Sequence, residues 1–380
     1  MKTKSIIAVF IIMMCIACSR PSSKDRMGEP LYTMQELPHK RFALDDSTTQ
    51  VLSYIHTFME GDSLRLASFN KPLKNICIFD VQTGKELRKI QFFKEGPHAV
   101  GNNLCGFLLL NNDSILMYYT WAYQLDLMNS QGELLARYRL KDIKPQADCA
   151  YSMPSPSPSS SLPIRKAGNA IILQGFSPDK VGSLLRGTTI LFNLRDSTLK
   201  YANDYPSCYQ EKDFDKWHVQ VHLTPRYDLG PQDEMVLSYP IEDSIRIFNP
   251  QTGEKRSFFA GHSTPYKIRP ASASTTAEQE RSILGQAQYT GIYYDRWNQL
   301  YYRLMALPMK DYTVNASRLP SRELAVIILD KDFKKVGEYN VREKSDRCSF
   351  AFVSPEGLHI NVLSDNDDFM DFITLKPQKL

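Results

Sequence analysis

The chain reads as an all-β protein, a six-bladed β-propeller of four-stranded antiparallel blades, and three observations carry that expectation. First, a strand-and-turn phrase recurs: Ile76-Cys77-Ile78-Phe79-Asp80-Val81-Gln82-Thr83-Gly84-Lys85 returns as Ile245-Arg246-Ile247-Phe248-Asn249-Pro250-Gln251-Thr252-Gly253-Glu254, with fainter copies at Gln124 to Glu133 and Ile327 to Lys334. Second, Asp-Ser followed by alternating apolar residues occurs at Asp62-Ser63, Asp113-Ser114 and Asp243-Ser244. Third, helical periodicity is almost absent.

In each copy of the first phrase a polar turn ends an alternating run and a second short strand follows, such as Leu134 to Leu140 or Lys335 to Val341. Asp and Ser satisfy turn backbone with their own side chains before the chain enters the next strand. Gly84 and Gly132 lie 48 residues apart, and Gly253 lies 121 beyond. Roughly 350 folded residues divided by units of about 50 to 60 gives about six. A pair of β-sandwich domains is the rival arrangement. Two segments break the rhythm. Ser152 to Pro163, rich in Pro and Ser, cannot feed a sheet ladder and is expected as an extended surface loop. Ser263 to Glu280 contains Ser and Thr ahead of Glu, which predicts one short capped helix. Both are insertions into one large domain spanning residues 30–380.

Lys2 and Lys4 precede an apolar run from Ile6 to Ile16, ended by Ala17-Cys18. About a dozen apolar residues are too few to span ~30 Å of hydrocarbon but suit an export signal. A small residue directly before Cys resembles the lipobox of bacterial lipoproteins, with Cys15 where Leu is usual. That resemblance implies a signal peptide over residues 1–17, lipid attachment at Cys18 and a place in the bacterial cell envelope, at the outer membrane, with either face open. Residues 18–29 are then a flexible tether, polar from Arg20 to Arg26.

Loss of Lys2 and Lys4 with the signal lowers the formal charge from +4 to +2. Such a balance predicts no nucleic-acid partner. The 42% hydrophobic and 11% aromatic content suits a chain with a large core. Besides Cys18 there remain Cys77, Cys105, Cys149, Cys208 and Cys348, an odd number without CxxC spacing, which speaks against a zinc site and a disulfide framework. One disulfide among them stays open, its pair undecided. Cys77 reads as a small buried hydrophobe of a strand.

Lys94-Glu95-Gly96-Pro97-His98-Ala99-Val100-Gly101, followed by Phe107-Leu108-Leu109-Leu110-Asn111-Asn112-Asp113-Ser114-Ile115, resembles phrases of the TolB-like six-bladed propeller lipoproteins of the Bacteroidales. The resemblance extends loosely over residues 30 to 380, with His98 where that family usually has Asn. It implies the propeller and the lipid anchor and supplies no reaction or catalytic residues.

Candidate chemistry is sparse. Gly61-Asp62-Ser63-Leu64 spells a serine-esterase signature, but its Asp-Ser copies at 113 and 243 make the phrase structural, and Asp365 to Asp371 offers no Asp-x-x-His. Gly261-His262-Ser263-Thr264-Pro265 fails the Gly-x-Ser-x-Gly elbow at its last position. His218 and His222 are expected on one face of a strand from Trp217 to Leu223, about 13 Å apart and unable to share a metal ion. Ser364-Asp365-Asn366-Asp367-Asp368-Phe369-Met370-Asp371 is read as a turn, with calcium the cation it would take. Tyr118-Tyr119-Thr120-Trp121-Ala122-Tyr123 and Tyr289-Thr290-Gly291-Ile292-Tyr293-Tyr294 are read mainly as core.

With no convincing nucleophile, acid-base pair or metal cluster, the expected function is a membrane-anchored envelope lipoprotein whose propeller binds a ligand or protein partner without catalysis. The partners would be the membrane, through Cys18, and an envelope protein or glycan, with no cofactor. The alternative is a calcium- or carboxylate-dependent propeller hydrolase or lyase acting on polysaccharide. A purely structural envelope lipoprotein reads the same in sequence as the first.

Overall fold

A computed structural model describes residues 30–50, 53–146, 153–177, 187–209, 220–268, 275–313, 320–345 and 348–380. The expected signal peptide, Cys18 and the expected tether lie outside them, as do Cys149 and His218. Strand β1 (Tyr32–Ala43) is followed by an antiparallel sheet of β2 (Ile55–Glu60), β3 (Ser63–Asn70), β4 (Asn75–Asp80) and β5 (Glu86–Gln91), in that order. A second sheet repeats it with β6 (Leu104–Asn111), β7 (Ser114–Tyr119), β8 (Gln124–Met128) and β9 (Leu134–Arg139). In the third, β10 (Ser155–Pro156) and β11 (Arg165–Ala167) both pair with β12 (Ala170–Phe176), which continues to β13 (Gly187–Asn193) and β14 (Thr198–Asp204).

A helical turn, α1 (Gln220–Leu223), leads into the fourth sheet of β15 (Arg226–Leu229), β16 (Met235–Ser238), β17 (Ser244–Phe248) and β18 (Lys255–Phe259). Helix α2 (Thr276–Leu284) precedes β19 (Gln288–Asp295), β20 (Leu300–Ala306), β21 (Arg322–Leu329), β22 (Lys335–Ser345), β23 (Ala351–Ser354), β24 (Gly357–Val362) and β25 (Phe369–Lys379). These join β1 in one eight-stranded sheet of order β19-β20-β21-β22-β1-β25-β24-β23.

The chain is therefore all-β, a propeller-like arrangement of four-stranded sheets, but its hydrogen bonding does not yield six separate ones. Four sheets carry the four-strand path, and the rest is the eight-stranded sheet. The reason is local. β1 and β22 meet in parallel at one position, Tyr32 opposite Gly337, where a Cβ on residue 337 would run into the Tyr32 carbonyl oxygen. β1 also pairs with β25 from Tyr32–Lys379 to Ala43–Phe369, so the first and last strands close the molecule on themselves. Buried apolar clusters fill the spaces between neighbouring sheets, for example Ile76, Phe107 and Met117 between β2–β5 and β6–β9, and Phe42, Phe79 and Phe372 where the closing strands meet β2–β5.

All four copies of the first phrase are hairpins joining the third and fourth strands of their sheets. Asp80 Oδ1 accepts from the Thr83 amide and hydroxyl, and Asn249 Oδ1 accepts from the Gln251 and Thr252 amides, each ahead of a glycine at positive φ, Gly84 at 71° and Gly253 at 76°. In the fourth copy Asp330 plays this part and Phe333 takes the left-handed conformation at φ 64°. Gly84 has a second constraint: a Cβ there would strike the Arg41 carbonyl oxygen, whereas Gly253 faces open space. Asp62 and Asp113 lie in turns from first to second strand, but Asp243 precedes a third strand, so that phrase is a turn device rather than a repeat marker.

Helix α2 begins as expected, with Thr275 as N-cap and a reciprocal capping box to Glu278. Among the described residues no helix is long and apolar enough to cross a membrane.

Candidate functional site

The Pro/Ser segment, expected at the surface, instead runs into the middle of the molecule. Pro156, Pro158 and Ser160 to Ile164 are buried, and Ser155–Pro156 pairs with β12. The correction has a polar cause as well as an apolar one. The Ile55 amide donates to Ser160 Oγ (3.2 Å), the Ile164 amide to Tyr54 Oη (2.9 Å), and the Tyr227 hydroxyl to the Pro163 carbonyl (2.6 Å). Proline's missing amide is harmless in such a segment, because side chains of other strands satisfy the polar atoms that remain. Gly106 leaves the room that Pro158 fills.

This segment forms part of the wall of a central cavity of about 560 Å³, to which the edge strands β2, β11, β15, β19 and β23 all contribute. One polar chain crosses its wall. Arg165 Nη1 donates to His56 Nδ1 (3.0 Å), and Arg165 Nε donates to Asp228 Oδ1 (3.2 Å). Asp228 also accepts from the Leu229 amide through Oδ1 (2.9 Å) and from the Tyr294 amide through Oδ2 (3.1 Å). A guanidinium can only donate, so His56 Nδ1 is an acceptor and the ring is neutral. Burial, and secondarily the Arg165 charge, lower its pKa to about 3. Tyr294 and the half-exposed Trp297 stand at the mouth.

A model of a domain of unknown function, DUF4221, matches residues 34–340. The chain belongs to the DUF4221 family. A solved DUF4221 member from Bacteroides vulgatus is similar over 93% of this chain and 100% of its own, with 20% identity and a TM-score of 0.77. A solved putative exported protein from Bacteroides fragilis is similar over 92% of this chain and 96% of its own, at 11% identity and a TM-score of 0.53. No curated protein matches the DUF4221 chain. At these identities the likeness carries the propeller-like fold alone. Of the Bacteroidales resemblance, the coarser part stands: a family of unknown function with structural neighbours from Bacteroides.

Tyr293 and Tyr294 of the second aromatic run line this cavity, whereas the other sequence candidates of the DUF4221 chain lie away from its polar wall or serve the framework. Ser63 opens β3 beside the Asp62 turn. The expected strand from Trp217 to Leu223 is overturned at Gln220–Leu223, which form a helical turn. Its carbonyls are taken by neighbours: the Tyr209 and Tyr205 hydroxyls donate to those of His222 and Leu223, and Thr224 Oγ1 donates to that of Gln220. Tertiary partners thus outweigh β-propensity there. His262 pairs with Glu338 Oε1 at 3.1 Å and the Ser263 hydroxyl donates to the same oxygen, clasping that loop to β22.

In the Asp/Asn turn, Asp371 binds Arg41 and the Ser364 hydroxyl, while Asp367 accepts from Gln50. Among the described residues no group of three or more His, Cys, Asp or Glu is placed to hold a metal ion, and Cys77, Cys105, Cys208 and Cys348 form no disulfide. Cys77 is buried in β4, and Tyr118, Tyr119, Tyr289 and Tyr293 are core, whereas Trp121 is 78% exposed. The Glu-Gly-Pro phrase is structural: Gly96 turns at φ 86° and His98 Nδ1 accepts from the Leu134 amide of the next sheet.

Sequence reasoning missed Arg165, Asp228 and His56, because each sits on a different edge strand. The available signal was Arg226-Tyr227-Asp228, charges at alternate positions of a strand around the buried Tyr227.

Three buried histidines make stability fall with acid. His56 and His359 have pKa values lowered to about 3 and His222 to about 4, in each case first by burial and then by a nearby cation: Arg165, Lys40 and Arg322 respectively. Unfolded histidine titrates near pH 6.5, so below that pH the unfolded chain binds protons the folded one refuses. Their contribution is complete above about pH 6.5 and is lost as pH falls toward the folded values. Near pH 5 the expected slope is about 4 kcal/mol per pH unit. Urea midpoints at pH 7.5, 6 and 5 check this, and an unchanged midpoint contradicts it.

Proposed function

We propose that this DUF4221 protein is a lipid-anchored binding protein of the bacterial cell envelope that holds a sugar or the end of a glycan in its central cavity without transforming it. The observation that carries the reading is the linked wall of His56, Arg165 and Asp228 in a cavity shared by five edge strands. Their hydrogen bonds to one another and to backbone amides fix these groups in advance, as a binding site requires. Asp228 accepts from three donors and Asp233 from the Gly168 amide, which suits binding walls better than a free general acid or base. Trp297 and Tyr294 at the mouth offer flat apolar faces for a sugar ring.

In the same reading the eight-stranded sheet is two blades fused at the Tyr32–Gly337 bridge, making six TolB-like blades in all. Apolar packing between its halves, with Leu304 and Val326 against Ile360 and Ile373, supports that count. Lipid attachment at Cys18, after the signal peptide of residues 1–17, supplies the membrane partner, and residues 18–29 the tether.

The test is thermal unfolding of the chain from Met27 onward with a panel of neutral and acidic sugars, glycans and peptidoglycan fragments. A ligand at about 100 times its dissociation constant stabilises by ~2.7 kcal/mol, a shift of a few degrees. No shift with any of them overturns the glycan reading in favour of a protein partner. Turnover of a shifted glycan overturns the non-catalytic one.

A further inference from the structure

The central cavity continues past its mouth. A second hollow of about 380 Å³ lies beside it, and the two share Met59, Leu64 and Trp297 in their walls. These three come from β2, β3 and the β19–β20 turn. The rest of the second hollow is built mainly from turns: β2–β3 brings Asp62, β4–β5 brings Gln82, β23–β24 brings Glu356, and Lys40 of β1 joins them. Each hollow falls within the roughly 300–1,000 Å³ of sites that enclose a small ligand.

Trp297, 39% exposed, borders both hollows on a turn that is held from beneath. Buried Asp295 accepts from the Trp297 and Asn298 amides through Oδ1 (3.0 and 2.9 Å) and from the Tyr302 hydroxyl through Oδ2 (2.6 Å). A tryptophan on so fixed a turn offers its ring with little further ordering cost. The charges of the second hollow are largely answered within it: Lys40 Nζ donates to the Gln82 carbonyl (3.0 Å) and lies 3.4 Å from Glu356, and Asp80 pairs with Arg65. Asp62, exposed at its turn, adds a negative charge. In the central cavity Asp228 and Asp233 stand against Arg165 and Arg296. A ligand lying across both hollows therefore meets no surplus of positive charge, which disfavours an anion. It meets carboxylates that accept hydrogen bonds and, in Ser63 and Gln82, groups that both donate and accept, as sugar hydroxyls require.

We propose that the ligand is a neutral glycan chain that runs from the central cavity past Trp297 into the second hollow, so that the protein reads consecutive sugars rather than a single terminal one. The inference rests on the central cavity being the glycan site.

Calorimetric titration of the chain from Met27 onward with single sugars and tetrasaccharides of the glucose, N-acetylglucosamine and galacturonate series tests the extension, in wild type, Asp62→Trp and Trp297→Ala. A neutral tetrasaccharide is expected to bind at least about tenfold tighter than its single sugar. Asp62→Trp, which fills the second hollow from an exposed turn, is expected to remove that gain with length, and Trp297→Ala to weaken single sugar and tetrasaccharide alike. Should Asp62→Trp fail to fold, Gln82→Trp on the exposed β4–β5 turn carries the same test. Equal affinity of wild type for single sugar and tetrasaccharide overturns the extension and leaves the central cavity as the site. A gain with length that survives the filled hollow overturns its placement there. Galacturonate oligomers binding tighter than the neutral ones overturn the neutral class. Failure of every series to bind overturns the extension together with the glycan reading on which it rests.

Discussion

Replacing Arg303 by methionine is expected to destabilise the protein by about 4 kcal/mol, since several buried acceptors lose their donor at once and each orphan costs about 1–3 kcal/mol. Arg303 is 0% exposed in the second strand of its sheet. Its Nε donates to Ser238 Oγ at 2.8 Å, Nη1 to the carbonyls of Asp243 (2.7 Å) and Ala260 (2.9 Å), and Nη2 to those of Glu242 (2.6 Å) and Tyr239 (3.4 Å). The guanidinium also lies over the Tyr289 ring, 3.4 Å from its centroid. One side chain of β20 thereby holds the β16–β17 connection and the exit of β18 against the neighbouring sheet. Methionine keeps the volume and removes every donor, so urea unfolding of this variant isolates the polar term. Lysine at this position keeps a charge but not the fork, and an intermediate loss is expected. A loss below about 1 kcal/mol for Arg303→Met, within the range of one ordinary hydrogen bond, means that apolar packing around Ile292 and Ile327 carries this junction alone.

Cys18→Ser is expected to move the protein from the membrane fraction to the soluble fraction of cells. Each buried methylene contributes ~0.8 kcal/mol and a single fourteen-carbon chain holds only reversibly, whereas a lipoprotein cysteine is expected to carry several chains. The proposed anchoring therefore hangs on one sulfur atom, and no helix among the described residues replaces it. Fractionation with immunodetection reads the result. A wild-type protein already in the soluble fraction overturns the lipid anchor and leaves an ordinary secretory signal. A variant that stays with the membrane shows that a partner holds it there.

The strands were legible because their turns announce themselves. Asp80, Asn129, Asn249 and Asp330 each fold their side chain onto the following amides, and the glycines or Phe333 behind them turn the chain back. Such chemistry is complete within ten residues and needs nothing from the rest of the molecule. The α2 cap was legible for the same reason, since Thr275 and Glu278 satisfy each other. What escaped was every feature whose partner is far away in the chain. The Pro/Ser segment looks like a solvated loop until Tyr54, Ile55 and Tyr227 supply its hydrogen bonds. Gln220–Leu223 look like a strand until Tyr205 and Tyr209 take their carbonyls.

The sequence by itself determined an all-β chain with recurring hairpins, and it placed Cys77, Tyr118 and Tyr289 in the core; that those hairpins join third and fourth strands came from the sheets. Only the tertiary structure decided how many sheets those strands make, because the outcome turns on one parallel contact between Tyr32 and Gly337, 305 positions apart. It also decided the site. His56, Arg165, Asp228 and Tyr293 converge from four separate edge strands, and a charge on a strand carries no mark of whether a counter-charge awaits it across the cavity. Turn geometry is a local property of the backbone, while burial and pairing of polar groups are properties of the closed ring.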